Sequence, residues 1–155
     1  MSVRAALPEG IFGQLSYTFM DAKFDVYDVG GNDFSGNFVP GVARNRIEGL
    51  VRYSRGFGYV EVRGDHVGKT YTNDANDPNT NVKSYTLWDL RAGLSGYSLG
   101  NGRTEVSPFV SLTNVFDAVY SSGYQPNAFG PPGGKRYYEP GPRRAFSVGL
   151  TVAFQ

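Results

Sequence analysis

The chain has 155 residues, a length that fits one domain, and 15 Lys+Arg against 14 Asp+Glu leave it at +1, so charge makes no case for nucleic acid as a partner. Eleven Tyr, eleven Phe and 21 Gly are the usage of a β architecture with tight turns. Cysteine is absent, which removes disulfides, thiolate metal sites and cysteine nucleophiles.

No run approaches the roughly eighteen apolar residues of a membrane helix, but a spanning barrel strand is apolar only at alternate positions. Residues 1–10 lack the apolar core of a secretory signal. An outer-membrane reading therefore expects a leader already removed, or a chain that begins partway through a larger protein.

Period-two alternation predicts six full strands and a stub, with no helical period anywhere. The stub lies near 2–7 and the first full strand near 11–23. Strand 43–54 interleaves Arg44, Arg46, Glu48 and Arg52 with Ile47, Gly49, Val51 and Tyr53. Strand 57–67 interleaves Glu61, Arg63 and Asp65 with Val60, Val62 and Gly64. A two-residue loop at Arg55-Gly56 would set Glu48 opposite Arg63 and Arg46 opposite Asp65 on one face, with Tyr53 across from Gly58 and Ile47 across from Gly64 on the other. These charge pairs are read as structural, satisfying charge inside a wall rather than carrying a transported ligand.

Strand 84–96 sets Trp88, Leu90, Ala92 and Leu94 against Asp89 and Arg91. Strand 103–116 alternates Val106, Pro108, Val110 and Leu112 with Glu105, Ser107, Phe109 and Ser111. Pro108 donates no ladder hydrogen bond, so a bulge or an unpaired position is expected there. Strand 143–154 carries Phe146, Val148, Leu150, Val152 and Phe154 on one face, and only Ala145, Ser147, Gly149, Thr151 and Ala153 on the other. A tall apolar stripe with an aromatic at each end, backed by small groups, is the pattern of a strand with lipid on one side and a lumen on the other.

The connections support the same reading. Those at 7–10, 54–57 and 97–102 are short; those at 24–42, 68–83 and 117–142 are long, polar and rich in Gly, Asn, Asp and Pro. Short periplasmic turns alternating with long extracellular loops define an outer-membrane barrel. A soluble meander has no reason to lengthen every second connection.

No catalytic constellation and no metal site is found. His66, the only histidine, falls near the outer end of its strand, where an interfacial role is the expectation. The loop Asn73–Asn79 lacks the glycine turn and terminal glutamate of a calcium-binding loop. Gly130–Gly134 has no phosphate-loop lysine spacing. The candidate ligand contacts are Tyr120, Tyr124, Lys135, Arg136, Tyr137, Tyr138 and Arg143, because Tyr and Arg stack on and hydrogen-bond to anionic or aromatic ligands. The competing role for each is an aromatic girdle or loop packing. Asp28 and Asp33 are weaker candidates.

Several stretches resemble one family. Leu15–Phe24 is similar to a Tyr-Thr-x-x-Asp-Ala strand end, and Pro40–Arg46 to a Pro-Gly-x-x-Arg-x-Arg strand start, of TonB-dependent outer-membrane receptors. Tyr85–Gly93 resembles a later strand of the same barrels. Ser111–Tyr120 resembles their penultimate-strand Asn-Leu-Phe-Asp motif, with Val115 in place of Leu. The last strand is similar to the signal recognised by the barrel assembly machinery, with Ser147, Gly149, Val152 and Phe154 in its places; Val152 stands where an aromatic is common, and Gln155 follows a normally terminal Phe.

The resemblance implies an all-β, antiparallel transmembrane β-barrel segment in the bacterial outer membrane: the C-terminal part of a barrel of about 22 strands. It implies import of a scarce small molecule, such as a ferric siderophore or other metal chelate, driven by TonB through a box and plug domain that these residues do not include. No cofactor is implied. Lipid and the barrel assembly machinery are the expected partners, with TonB reached only through the missing N-terminal part. Six strands and a stub cannot close in hydrocarbon without leaving two unpaired edges. The alternative is a short self-associating outer-membrane protein, or a truncated receptor remnant without transport.

Overall fold

The structure is a computed structural model and describes residues 1–100, 102–126 and 138–154. Among these, the strands in chain order are β1 (Ser2–Leu7), β2 (Ile11–Phe19), β3 (Asp28–Val29), β4 (Asn32–Asp33), β5 (Asn45–Arg55), β6 (Gly58–Val67), β7 (Tyr85–Leu94), β8 (Tyr97–Leu99), β9 (Thr104–Thr113), β10 (Ser121–Tyr124), β11 (Tyr138–Pro140) and β12 (Ala145–Phe154). One antiparallel wall runs β1-β2-β5-β6-β7-β9-β12, with β8 pairing β9 beside it. The strands expected from alternation are all present, and the stub is β1. The long connections carry small sheets of their own, β3 with β4 and β10 with β11.

The wall has no core of its own. On its strands every exposed large apolar side chain lies on a single face, from Val3, Leu15 and Ile47 through Val62, Trp88 and Leu90 to Val148 and Leu150. The described residues with buried side chains are Thr70, Thr72, Val82 and Asn114, none of them on a wall strand. A soluble sheet of this size would bury one apolar face against another layer. Here the apolar face stays open along the whole wall, and that is affordable only in hydrocarbon.

The hairpin joining β5 and β6 corrects the expected register. Arg55 pairs Gly58, so the two-residue loop is Gly56-Phe57, not Arg55-Gly56. Gly56 has φ +58, the first loop position of a type II′ turn, where glycine is required. Each strand moves on by one residue, so the faces are unchanged but every partner differs. Glu48 pairs Asp65, Leu50 pairs Arg63, Tyr53 pairs Val60, Ile47 pairs His66 and Gly49 pairs Gly64. Phe57, released to the turn, packs edge-on against Tyr97 at 5.4 Å.

The expected irregularity at Pro108 takes a definite form. Gly93 pairs Phe109 while Tyr97 pairs Val106, so residues 94–96 stand opposite 107–108 with one residue in excess. The missing proline N–H leaves nothing for β7 to pair with at that point. The chain resumes as β8, so Tyr97–Leu99 is strand rather than turn, and the reversal narrows to the residues after Leu99.

Candidate functional site

Two regions gather polar chemistry: the lumen face of the wall and the crown of long connections at its outer edge. On the lumen face Arg46 reaches Asp65 at 3.2 Å and Glu48 at 2.9 Å. The Arg46–Asp65 contact is therefore diagonal, between non-partnered positions of β5 and β6. Arg63 lies directly across from Asp89 on β7, and neither it nor Glu48 forms the Glu48–Arg63 pair that the expected register required. Further along, Arg52 faces Glu61 at 3.9 Å. The Arg91 guanidinium sits 3.8 Å from the centre of the Phe109 ring, and Gly149 leaves room for that ring, since an added Cβ there would strike it. Shallow hollows of about 360 and 230 Å³ separate these side chains.

Arg46 is 51% exposed and Asp65 27%, so water screens the pair and its coupling should stay below about 1 kcal/mol. A double-mutant cycle with Arg46→Glu and Asp65→Arg should recover most of whatever either single reversal costs. The same cycle on Glu48 and Arg63 should be additive, which separates this register from the one with Arg55-Gly56 as the loop. Thermal denaturation of the detergent-extracted protein is the readout.

The crown is built by side chains acting as missing backbone. Asn76, at φ +53, accepts the Phe38 N–H through Oδ1 at 2.7 Å and donates from Nδ2 to the Phe38 carbonyl at 2.8 Å. One amide thus imitates a β-ladder pair between the connection after β2 and the connection after β6. Asn37 Nδ2 adds a bond to the Asp74 carbonyl at 2.8 Å, and the Gly41 N–H one to Tyr71 at 3.1 Å. Over this seam the rings of Phe38 and Tyr71 stack at 5.9 Å and 7°. Lys23 and Arg44 sit 5.0 and 4.6 Å from the centre of Phe38, and Lys69 4.4 Å from that of Tyr71. Asp21 pairs with Arg44 at 3.2 Å and Lys23 at 3.7 Å. Thr72, 2% exposed, anchors the second connection by bonding the Thr80 carbonyl.

The third connection is fixed by Asn114. Its residue is 5% exposed with φ +49. The side chain accepts from Ala118 N–H at 2.8 Å and donates to the carbonyls of Ala118 at 2.9 Å and Pro142 at 3.1 Å. Its own N–H donates to Asp89 Oδ1 at 2.9 Å. The chain leaving β9 is thereby tied to the chain entering β12 and to β7. Asp117 completes the clasp: Arg143 Nε and Nη2 donate to its two oxygens at 2.8 and 2.5 Å, and Arg144 N–H to Oδ1 at 3.0 Å. The Arg143 hydrogen bonds, then the Arg144 N–H, hold the Asp117 carboxyl well below the usual carboxylate range. That stabilisation is complete above the ordinary value of 3.8 and is lost only as pH falls below it, toward the depressed folded value.

The nominated ligand contacts divide accordingly. Tyr120 packs against Tyr85 with ring centres 4.6 Å apart and planes tilted by 36°, and covers Gly141, where no Cβ would fit. Tyr124 is half-buried beside Gly41, and burial pushes its phenol up. Tyr138 donates to the Thr80 carbonyl at 3.3 Å, joining the third connection to the second. Arg143 is engaged by Asp117. Lys135, Arg136 and Tyr137 lie outside the described residues. The sequence assigned no role to Phe38 or Asn76, although Asn76 had a usable signal as an Asn in a loop able to take positive φ; Asp21 stood out only as the Asp of the Tyr-Thr-x-x-Asp-Ala strand end. Among the described residues no three carboxylate or His side chains converge as a metal site.

Comparison with known proteins agrees with this architecture. The chain superposes on the siderophore receptor PiuA from Acinetobacter baumannii with a TM-score of 0.72 and 16% identity, over 97% of this chain and 20% of that one. The ferric preacinetobactin receptor BauA, also from Acinetobacter baumannii, gives 0.71 and 18%, over 97% and 21%. The ferric citrate transporter FecA in its unliganded form gives 0.67 and 17%, over 93% and 21%. The chain thus spans about a fifth of the length of these receptors. Residues 3–115 match the family model described as TonB dependent receptor-like, beta-barrel, so the chain belongs to the TonB-dependent receptor family and is barrel wall of the bacterial outer membrane.

Proposed function

We propose that these residues form the C-terminal part of a receptor barrel that imports a scarce small molecule, a ferric siderophore or related metal chelate, across the outer membrane. Plug domain and TonB box belong to other sequence, and TonB acts through them. The observation that carries this reading is the interlocked crown, in which three long connections present cations and aromatic rings at one edge of a membrane wall. Such a surface binds anionic or aromatic chelates through stacking and charge-assisted bonds. Tyr120, Tyr124, Lys135, Arg136, Tyr137 and Tyr138 are the proposed contacts, while Arg143 serves by holding the third connection in place. Ser147, Gly149, Val152 and Phe154 form the signal read by the barrel assembly machinery.

Uptake of a panel of iron-55 chelates by cells lacking the gene is the test. One chelate should lose uptake, and cells lacking TonB should lose it equally. If uptake of every chelate is unchanged, the transport reading fails.

The unpaired outer edges of β1 and β12 favour one other reading, a short protein that closes by self-association. An antibody to residues 121–142 should detect an outer-membrane polypeptide several times the 16.9 kDa of this chain. A band at the chain's own size would favour self-association or a remnant.

A further inference from the structure

The lipid-facing side of the wall is not evenly filled. Gly49 on β5 and Gly64 on β6 are direct partners, and Gly13 on β2 lies one pair away on the same face. A Cβ at Gly13 would meet nothing within 4 Å. Leu15 leans over Gly49 and the Trp88 indole over Gly64, where an added Cβ would come within 3.8 Å of the Leu15 side chain and 3.0 Å of the Trp88 ring. Between them lies a hollow of about 480 Å³ whose wall is almost wholly apolar.

One end of the hollow is different. His66 Nδ1 and Thr86 Oγ1 sit 2.9 Å apart at its margin. Both belong to the last residues before the long connections, where β6 ends at Val67 and β7 begins at Tyr85. The hollow is therefore polar at the outer rim of the membrane and apolar below it. His66 keeps a second ring nitrogen, and Thr86 further hydroxyl capacity, for another partner.

We propose that this hollow is a binding site for one membrane lipid of the leaflet nearest the long connections. Its acyl chain fills the space over Gly13 and Gly49, between Leu15 and Trp88. Its carbonyl linkage accepts from the one donor the pair leaves free: His66 Nε2–H when the Thr86 hydroxyl donates to Nδ1, or the Thr86 hydroxyl when Nδ1–H donates to it. The hollow is continuous with the face that already meets lipid, which selects lipid over a protein segment. Left empty, its lining would forgo dispersion contacts, and water is excluded from an apolar recess at membrane depth. The polar pair distinguishes a held lipid from the exchanging annulus elsewhere on the wall. This inference rests on the membrane wall and is independent of what the receptor transports.

The test is native mass spectrometry of the receptor extracted from outer membranes in mild detergent and washed with detergent, with folding checked by heat-modifiable migration. The wild type should retain about one lipid per chain. Gly13→Leu, whose Cβ has open space and whose side chain projects into the hollow, should reduce the retained fraction about tenfold. His66→Ala combined with Thr86→Val should reduce it several-fold while leaving the hollow open. Leu150→Phe, on the same face but outside the hollow, should leave it unchanged. Retention that is equal in wild type, Gly13→Leu and Leu150→Phe would overturn the proposal, as would a wild type that retains none. A retained polypeptide in place of lipid would also overturn it.

Discussion

Leu150→Arg should abolish or severely reduce insertion of the protein into the outer membrane. Leu150 stands in the middle of β12, is 62% exposed and points to the face that carries every exposed large apolar side chain of the wall strands. An arginine at mid-bilayer on a barrel strand costs about 2–4 kcal/mol, a large part of the net stability of a protein domain. Thr151→Arg is the matched control. Thr151 faces the lumen beside Arg52, Glu61 and Arg91, where a long polar chain has water and a carboxylate within reach. It should cost no more than about 0.5 kcal/mol, the ordinary effect of a surface substitution. Fractionation of membranes and heat-modifiable migration read both. Equal behaviour of the two variants would mean that β12 does not separate lipid from lumen.

Asn114→Ala should produce the largest loss of any single change in the crown. Three side-chain hydrogen bonds disappear at a site 5% exposed, orphaning the Ala118 N–H and the carbonyls of Ala118 and Pro142. A buried group left without its partner costs about 1–3 kcal/mol; Ala118 is only half-buried and Pro142 is exposed, so water offsets part of the loss there. Alanine also tolerates φ +49 less well than asparagine, whose short amide suits the left-handed region. A total of about 3 kcal/mol is expected. Asn114→Asp keeps the acceptor for Ala118 N–H and loses the two donors, so it should fall between. Urea unfolding in detergent gives the stability. Hydrogen exchange should show the rise concentrated at residues 115–124 and 138–144, leaving β2, β5 and β6 as protected as before.

The wall was legible in the sequence because its environment is two-sided. Lipid and lumen impose opposite demands on successive side chains, and the period of two survives every local irregularity. Phe146 to Phe154 show this on β12, as do Ile47 to Tyr53 on β5. Long and short connections were legible for a similar reason: only the short ones must fit a tight reversal.

Register was less so. One turn decides it, and the choice between Arg55-Gly56 and Gly56-Phe57 depends on whether glycine takes the first or second loop position. Charge complementarity misled there, since Arg46 reaches Asp65 diagonally and the pairing needs no directly opposed partners. The continuation of β7 as β8 was hidden because a bulge breaks the period at residues 94–96.

The crown was the least legible part. Its order comes from contacts between connections far apart in the chain, such as Asn76 with Phe38 and Tyr138 with Thr80, and no local period announces them. The motif around Asn114 was visible as a resemblance. What it does, which is to hold the chain entering β12 against the end of β9 and the middle of β7, follows only from its hydrogen bonds.

The central claim is that this chain is a membrane wall with lipid on one face. The sequence contains no cysteine, so single cysteines at positions 146 to 153 of β12 can each carry a nitroxide label in the membrane-embedded protein. Collision with oxygen, which concentrates in hydrocarbon, should peak at 146, 148, 150 and 152. Collision with a water-soluble nickel chelate should be lowest at those same positions, giving a period of two for both probes in opposite phase. A flat profile, or one with nickel access highest at 148 and 150, would contradict the account.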